Sequence, residues 1–150
     1  MRLTEVPLAE IDAHMSDPRV AEHLPLMPES WNRAATEKLV ATKEACWQRD
    51  GLGHWAILAD GRYAGWGGFQ KEGDEWDLGL VLRADCFGMG PAIIAKMLGI
   101  ARADARIPFV TFLLPPSRSK LAALARLGAQ AVGEAKVDAV RFLKFRLETT

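Results

Sequence analysis

Cysteine is scarce. The 150-residue chain has two, Cys46 and Cys86, too far apart to form a C-x-x-C pair. That leaves neither a zinc framework nor a disulfide scaffold, a pattern that fits a reducing compartment. An excess of one charge sign is also lacking. Lys and Arg total 19, Asp and Glu total 19, and the formal charge is zero. The basic stripe of a dedicated nucleic-acid binder is therefore missing. The three histidines, at positions 14, 23 and 54, have no second histidine at ligand spacing, so no metal site is expected. No run of about 18 apolar residues is present to span a bilayer. The N-terminal MRLTEVPLAEIDAH contains no signal-peptide apolar stretch. The expectation is a cytoplasmic protein with neither nucleic acid nor membrane as partner.

What is present suits a globular chain. Apolar residues make up 49% and charged residues 25%, which excludes a disordered polymer. The length predicts one domain over residues 1–150 with a core of its own.

Turn signals cut the chain into short elements. Residues 2–6 alternate weakly and read as a strand. Residues 9–24 read as a helix interrupted at Asp17-Pro18. Ser30 is placed to N-cap a helix running to about Arg49, with Trp31, Ala35, Leu39, Cys46 and Trp47 on its apolar stripe and Gly51 as its stop. His54 to Ala59 reads as a strand, Asp60-Gly61 as a hairpin turn, and Arg62 to Lys71 as the returning strand. Glu75 to Arg83 follows, with Leu78, Leu80 and Leu82 on one face and Asp77, Gly79 and Val81 on the other. Ala84 to Gly90 reads as a loop. Pro91 suits the start of a helix whose face is Ile93, Ile94, Met97, Leu98 and Ala101. Phe109 to Leu114 is a buried strand. Ser117 is placed to cap a helix carrying Leu121, Leu124 and Leu127, closed by Gly128. Residues 130–135 and 139–147 form a last hairpin. The outcome is an α/β chain with a mixed, mostly antiparallel sheet. Its fourth and fifth strands flank a crossover helix and are therefore parallel.

The sharpest local feature is the run from Leu80 to Ala92, in which a strand enters a Gly-x-Gly turn and then a helix N-terminus. Amides exposed there converge on one point, and the helix dipole favours an anion at it. A G-x-x-x-x-G-K-[ST] phosphate loop is absent. A dinucleotide fingerprint fails because Ile93 stands where the third glycine belongs and Pro108 where the acidic residue belongs. Taken alone, Gly88 and Gly90 are equally the parts of a tight turn.

Over most of its length the sequence resembles the GCN5-related N-acetyltransferase (GNAT) superfamily, in particular the branch acting on ribosomal-protein and other N-termini. The carrying segments are DPRVAEHLP, HWAILADGRYAGWGGF, EWDLGLVL, FGMGPA running into IIAKMLGIARADA, and SRSKLAALARLGA. The resemblance implies a sheet splayed between its two parallel strands and a Q/R-x-x-G-x-G/A loop for the pyrophosphate of acetyl-CoA. Carried over by position, Phe87, Gly88, Met89, Gly90 and Ala92 fall on that loop. Val81, Leu82 and Arg83 fall on the strand end beside the pantetheine arm, and Ser117 on a position near that arm. Asp85 occupies the Q/R position, Pro91 lacks an N–H, Ser117 stands for an asparagine and Ala129 for an aromatic residue.

The implied reaction is direct acetyl transfer to the primary amine of a peptide N-terminus or a small molecule such as a polyamine or amino sugar. A carboxylate, directly or through water, takes the amine proton. Asp77 is the candidate base and Glu75, one step out on the same face, the second choice. The tyrosine that the family often uses as general acid is missing from the helix after Pro116, and the chain's one tyrosine, Tyr63, lies on the early hairpin. A non-catalytic acyl-CoA-binding or sensing module is the alternative. His54 opens a strand and reads as a surface residue, with a place facing the acceptor cleft as the alternative, and Cys86 reads as a packing residue. Gly65-Trp66-Gly67-Gly68 marks a bulge or a close backbone approach. The C-terminal hairpin is where a homodimer would form.

Overall fold

The computed structural model describes residues 1–24, 30–114, 126–137 and 140–149. The expected start, a strand over residues 2–6, is instead a 3₁₀ turn, Leu3–Glu5. Glu5 folds back to accept a bond from the Arg2 N–H at 2.7 Å, and Leu3 and Val6 are driven into the core. A local cap plus burial outweighs a weak alternation.

Three helices follow: α1 (Leu8–Met15), α2 (Pro18–Ala21) and α3 (Arg33–Asp50). The break at Asp17-Pro18 arises because Asp17 caps the next helix, accepting from the Arg19 N–H at 2.9 Å, with Pro18 in the first turn. Asn32, not Ser30, caps α3: its Oδ1 accepts from the Ala35 N–H at 2.8 Å. Gly51, left-handed at φ 71°, ends it.

The strands are β1 (His54–Ala59), β2 (Arg62–Glu72), β3 (Glu75–Leu82), β4 (Phe109–Leu114), β5 (Gln130–Val137) and β6 (Val140–Glu148). Between β3 and β4 lie a 3₁₀ turn, Ala84–Met89, and α4 (Gly90–Arg102). The sheet order is β1-β2-β3-β4-β6-β5. All neighbours are antiparallel except β3 and β4, the parallel pair around the crossover helix. The helix expected after Ser117 falls almost wholly outside the described residues. Gly128, at φ 94°, stands where it was to end.

Cross-strand partners share a face of the sheet, so the register sorts the side chains. On one face lie the rows Ala56–Trp66–Val81, His54–Gly68–Gly79 and Gln70–Asp77–Thr111. This face is covered by α1 and α3, with Ile11, Met15, Leu39 and Trp66 in its core. On the other face Phe69, Trp76, Leu78, Val110 and Phe112 pack against Met97, Leu98 and Ala101 of α4. Burying Phe69 completely is alone worth about 2–3 kcal/mol.

The glycine-rich stretch of β2 is a close backbone approach. A Cβ on Gly67 would stand 2.5 Å from the Gly79 carbonyl oxygen, and one on Gly68 the same distance from the Gly53 oxygen. Gly65, at φ 152°, would press its Cβ on the Val81 oxygen. A β-bulge between Ile57 and Leu58 shifts the register of β1 on β2 by one residue.

Among the described residues, one stretch is long and apolar enough to cross a membrane by length and composition: Ala84–Arg102, 19 residues at mean hydropathy 1.3. Here it is the 3₁₀ turn and α4, with Met97, Leu98 and Ala101 buried in the core.

Candidate active site at the parting of two strands

The parallel strands touch through one residue pair, Asp77 and Thr111. Beyond it β3 runs on to Leu82 and β4 to Leu114 with no further pairing. They part like the arms of a V. Backbone groups alternate sides along a strand. The Arg83 N–H donates to the Ala64 oxygen at 2.8 Å, and the Gly79 and Val81 oxygens point at β2 glycines. The N–H and C=O of Leu80 and Leu82 therefore face the parting. An extended chain laid there meets a strand edge open at Leu80, while the Leu82 carbonyl also faces the buried His14 imidazole. Leu82 is thus well placed among the expected binding residues, whereas Val81 and the Arg83 N–H are spent on β2.

The expected loop is more ordered than anticipated. Ala84–Met89 forms a 3₁₀ turn, and Gly90 belongs to α4. The Cys86 N–H donates to the Arg83 oxygen at 2.9 Å, and the Gly90 N–H to the Phe87 oxygen. One donor expected to face an anion, the Gly90 N–H, is therefore engaged within the chain, as is the neighbouring Cys86 N–H, and Pro91 has none. The glycines nonetheless fit a ligand. A Cβ on Gly88 would meet nothing within 4 Å, and Gly88 has no left-handed φ. Neither packing nor backbone conformation requires glycine there. Gly90 has one intrachain reason: it is helical (φ −51°, ψ −53°) directly before Pro91, a conformation that a Cβ disfavours. Phe87 stacks edge-on against His23 at 5.8 Å, which ties the turn to α2. Met89 is exposed, Ala92 lies in the first turn of α4, and Ser117 lies outside the described residues. A cavity of about 150 Å³ adjoins the turn, lined by Ala13, His14, Asp17, Arg19, Arg83, Ala84 and Asp85.

Asp77 sits at the point where the strands begin to part. Burial pushes its carboxyl up to about 7, while a hydrogen bond from Thr111 Oγ1 (3.1 Å) pulls the other way. Glu72 adds to the rise; Lys144 and Lys43 oppose it. A carboxylate balanced near neutrality is matched to proton transfer. Glu75, the second choice, is held by Lys144 Nζ at 2.5 Å and so is less available. Lys43 reaches down from α3 over the Trp66 ring at 4.9 Å and donates to Gln70 Oε1 at 2.8 Å. Gln70 is the cross-strand partner of Asp77 and also lines an open groove of about 500 Å³ between α3 and the β2–β3 turn.

The histidines correct the sequence reading. His54 is buried, 6% exposed, not a surface group. His14 is buried too, and its Nδ1 shares a hydrogen bond of 2.7 Å with the Tyr63 hydroxyl. Burial lowers His14 to about 4 and raises the Tyr63 phenol, so Tyr63 is a buried structural partner of α1. Cys86 gains no thiolate character: burial and Asp85 push its thiol up. Trp31 donates to Thr36 Oγ1 at 2.7 Å and packs on the α1–α3 core. Lys43 and Thr111 carry no sequence signal as members of this site, and for His54 the acceptor cleft is only the alternative to a surface place. Their common signal is register: Thr111 shares the row of Asp77, Lys43 reaches Gln70 of that row, and His54 lies in the next row on the same face.

No family profile and no curated protein matches the sequence. Solved structures do. An acetyltransferase from Agrobacterium tumefaciens superposes with a TM-score of 0.72 at 21% identity, covering 95% of this chain and 87% of its own. A protein from Bordetella pertussis described as GnaT-family gives 0.74 at 13%, covering 93% and 88%. The aminoglycoside acetyltransferase AAC(6')-Ib, solved with coenzyme A, gives 0.75 at 12%, covering 99% and 91%. The fold is that of the GNAT acetyltransferases. The six-strand mixed sheet with β3 parallel to β4 is the part that decides this. In the GNAT frame, the parting is the V between the two parallel strands, and Asp77 stands at its apex.

Proposed function

We propose that this chain is an N-acetyltransferase that moves an acetyl group from acetyl-CoA directly to a primary amine, either a peptide N-terminus, as in the ribosomal-protein branch, or a small polyamine or amino sugar. The observation that carries the reading is the single β3–β4 pair at Asp77 and Thr111 with an open strand edge beyond it. A structural neighbour solved with ribostamycin and coenzyme A supports the small-molecule side of the reading.

The coenzyme supplies an activated thioester. The chain's own residues do the rest. Leu80 and Leu82 offer backbone groups to the pantetheine arm, and the Leu80 N–H is a donor for developing negative charge. Gly88 and Gly90 leave room for the diphosphate, and release of the 3₁₀ bonds, which have poor geometry, would free further amides for it. Asp77 accepts the amine proton. The C–N bond forms, the C–S bond breaks, and the coenzyme leaves as its thiol once protonated from solvent.

Acetyl-CoA at a hundredfold excess over Kd is expected to raise Tm by about 5–10 °C. Thiol release should follow with at least one amine among ribostamycin, spermidine and short peptides with free N-termini. A melting curve unmoved by acetyl-CoA would remove the reading. A raised Tm with no thiol release would favour the acyl-CoA-binding module.

A further inference from the structure

His54 is an anomaly among the buried polar groups. It is 6% exposed, and neither ring nitrogen has a hydrogen-bond partner within the chain. A polar group in such a place is destabilising unless something satisfies it. The remaining unpartnered buried side-chain atom among the described residues is His14 Nε2, and that ring is at least anchored through Nδ1. His54 has no such anchor.

The sheet is shaped around this ring. Opposite His54 on β2 is Gly68, and opposite Gly68 on β3 is Gly79. Two glycines in one row let the imidazole lie flat across β2, tilted against Trp66 with ring centroids 5.5 Å apart. Its leading edge arrives at β3. A Cβ on Gly79 would stand 3.2 Å from Cε1 and 3.6 Å from Nε2, tight enough that the ring would have to give by a few tenths of an ångström. Gly79 has no left-handed φ; the room it leaves serves His54. Gly79 lies one same-face step beyond Asp77, about 7 Å along the strand, where β3 no longer pairs with β4. The unpartnered Nε2 edge, covered in the free chain, thus lies against β3 at Gly79, on the Asp77 face and one same-face step from the apex of the parting.

We propose that His54 positions the acceptor amine: its unpartnered imidazole nitrogen accepts a hydrogen bond from one N–H of the nucleophile while Asp77 takes the proton that must leave. The inference rests on the acetyltransferase reading and extends it to a residue on a different strand. It also accounts for a primary rather than a secondary acceptor. An attacking nitrogen held by His54 and deprotonated at Asp77 must carry two N–H bonds in its neutral form, so primary amines are acetylated and secondary amines are not. Burial keeps the imidazole neutral, with its pKa pushed down to about 3 and Lys43 adding to the effect, so the ring acts as an acceptor throughout the working pH range.

The test uses the full chain, with ribostamycin, spermidine and an N-terminally free tripeptide as amines and N-methylbenzylamine beside benzylamine as the secondary/primary pair. In His54→Leu, Tm is expected at or above the wild-type value, the acetyl-CoA Kd within twofold, and kcat lower by tenfold or more. His54→Gln, whose amide oxygen can accept the same bond, should recover part of that loss. In wild-type protein carrying ¹⁵N-histidine, adding the fastest amine to the CoA complex should move the His54 nitrogen resonance. A folded His54→Leu with wild-type kcat, or a His54 resonance unmoved by the amine, would overturn the proposal; the resonance decides it even where the leucine variant does not fold. Failure of acetyl-CoA to stabilise the wild type would instead count against the acetyltransferase reading. Coenzyme binding without turnover of any amine would overturn the role of His54 together with the transfer reading, in favour of an acyl-CoA-binding module.

Discussion

Replacing Gly88 by valine is expected to weaken acetyl-CoA binding at least a hundredfold and to leave Tm within about 2 °C of wild type. The two halves of this expectation have separate grounds. Stability is spared because a Cβ at position 88 meets no atom within 4 Å and the residue has no left-handed φ. Affinity is lost because a branched side chain keeps the diphosphate from the turn amides that release of the 3₁₀ bonds would free. Charge-assisted bonds of that kind are worth about 1.5–3 kcal/mol each, and losing two of them is a hundredfold or more. Gly90 is a less clean site, since its helical conformation before Pro91 gives a Cβ an intrachain cost. Titration calorimetry with acetyl-CoA, paired with melting curves, checks both halves. Unchanged affinity in Gly88→Val would remove the turn from the binding site.

Asp77→Asn is the second large effect, a fall of about 10²–10⁴ in kcat. The pH dependence supplies the signature. The carboxyl is pushed up to about 7 by burial, so the basic form accumulates as pH rises through that value. Wild-type kcat/KM should climb toward neutrality and level off above it, and the variant should lack that limb. Stability moves in the opposite sense. The folded pKa lies above the ordinary carboxyl value of 3.8, so the folded chain holds its proton longer than the unfolded one. Wild-type stability therefore declines between about pH 4 and pH 7, and this unfavourable contribution is fully present above pH 7. Asp77→Asn removes it, so the variant should melt at or above the wild-type temperature at pH 8 while being nearly inactive. A variant that keeps its rate, or a profile flat across pH 6–8, would take Asp77 out of the mechanism.

The elements that local chemistry determines were legible in the sequence. Asp17-Pro18, Gly51 and Asp60-Gly61 end or begin elements for stereochemical reasons that need no tertiary context. The alternation that put Asp77, Gly79 and Val81 on one face survives in the structure. The strand expected over residues 2–6 gives way because the local closure of Glu5 onto Arg2 adds to a burial of Leu3 and Val6 that depends on what packs above them.

His54 shows why part of the site stayed hidden. An uninterrupted ladder from the Asp60-Gly61 turn would set His54 opposite Gly67, on the α4 face with Leu80. The bulge at Ile57/Leu58 moves it to Gly68, on the Asp77 face. One extra residue flips the face of everything beyond it, and no local pattern announces the bulge. The turn at Ala84–Met89 was hidden differently: its composition signals flexibility, while its amides close on their own chain.

Amide-resolved hydrogen exchange, with and without acetyl-CoA, tests most directly whether the coenzyme occupies the gap between β3 and β4. Saturating acetyl-CoA should slow exchange tenfold or more at the Leu80 and Leu82 amides and at Gly88, with little change along β1 or the β5–β6 hairpin. Exchange at Leu80 and Leu82 that is indifferent to bound acetyl-CoA would contradict the account.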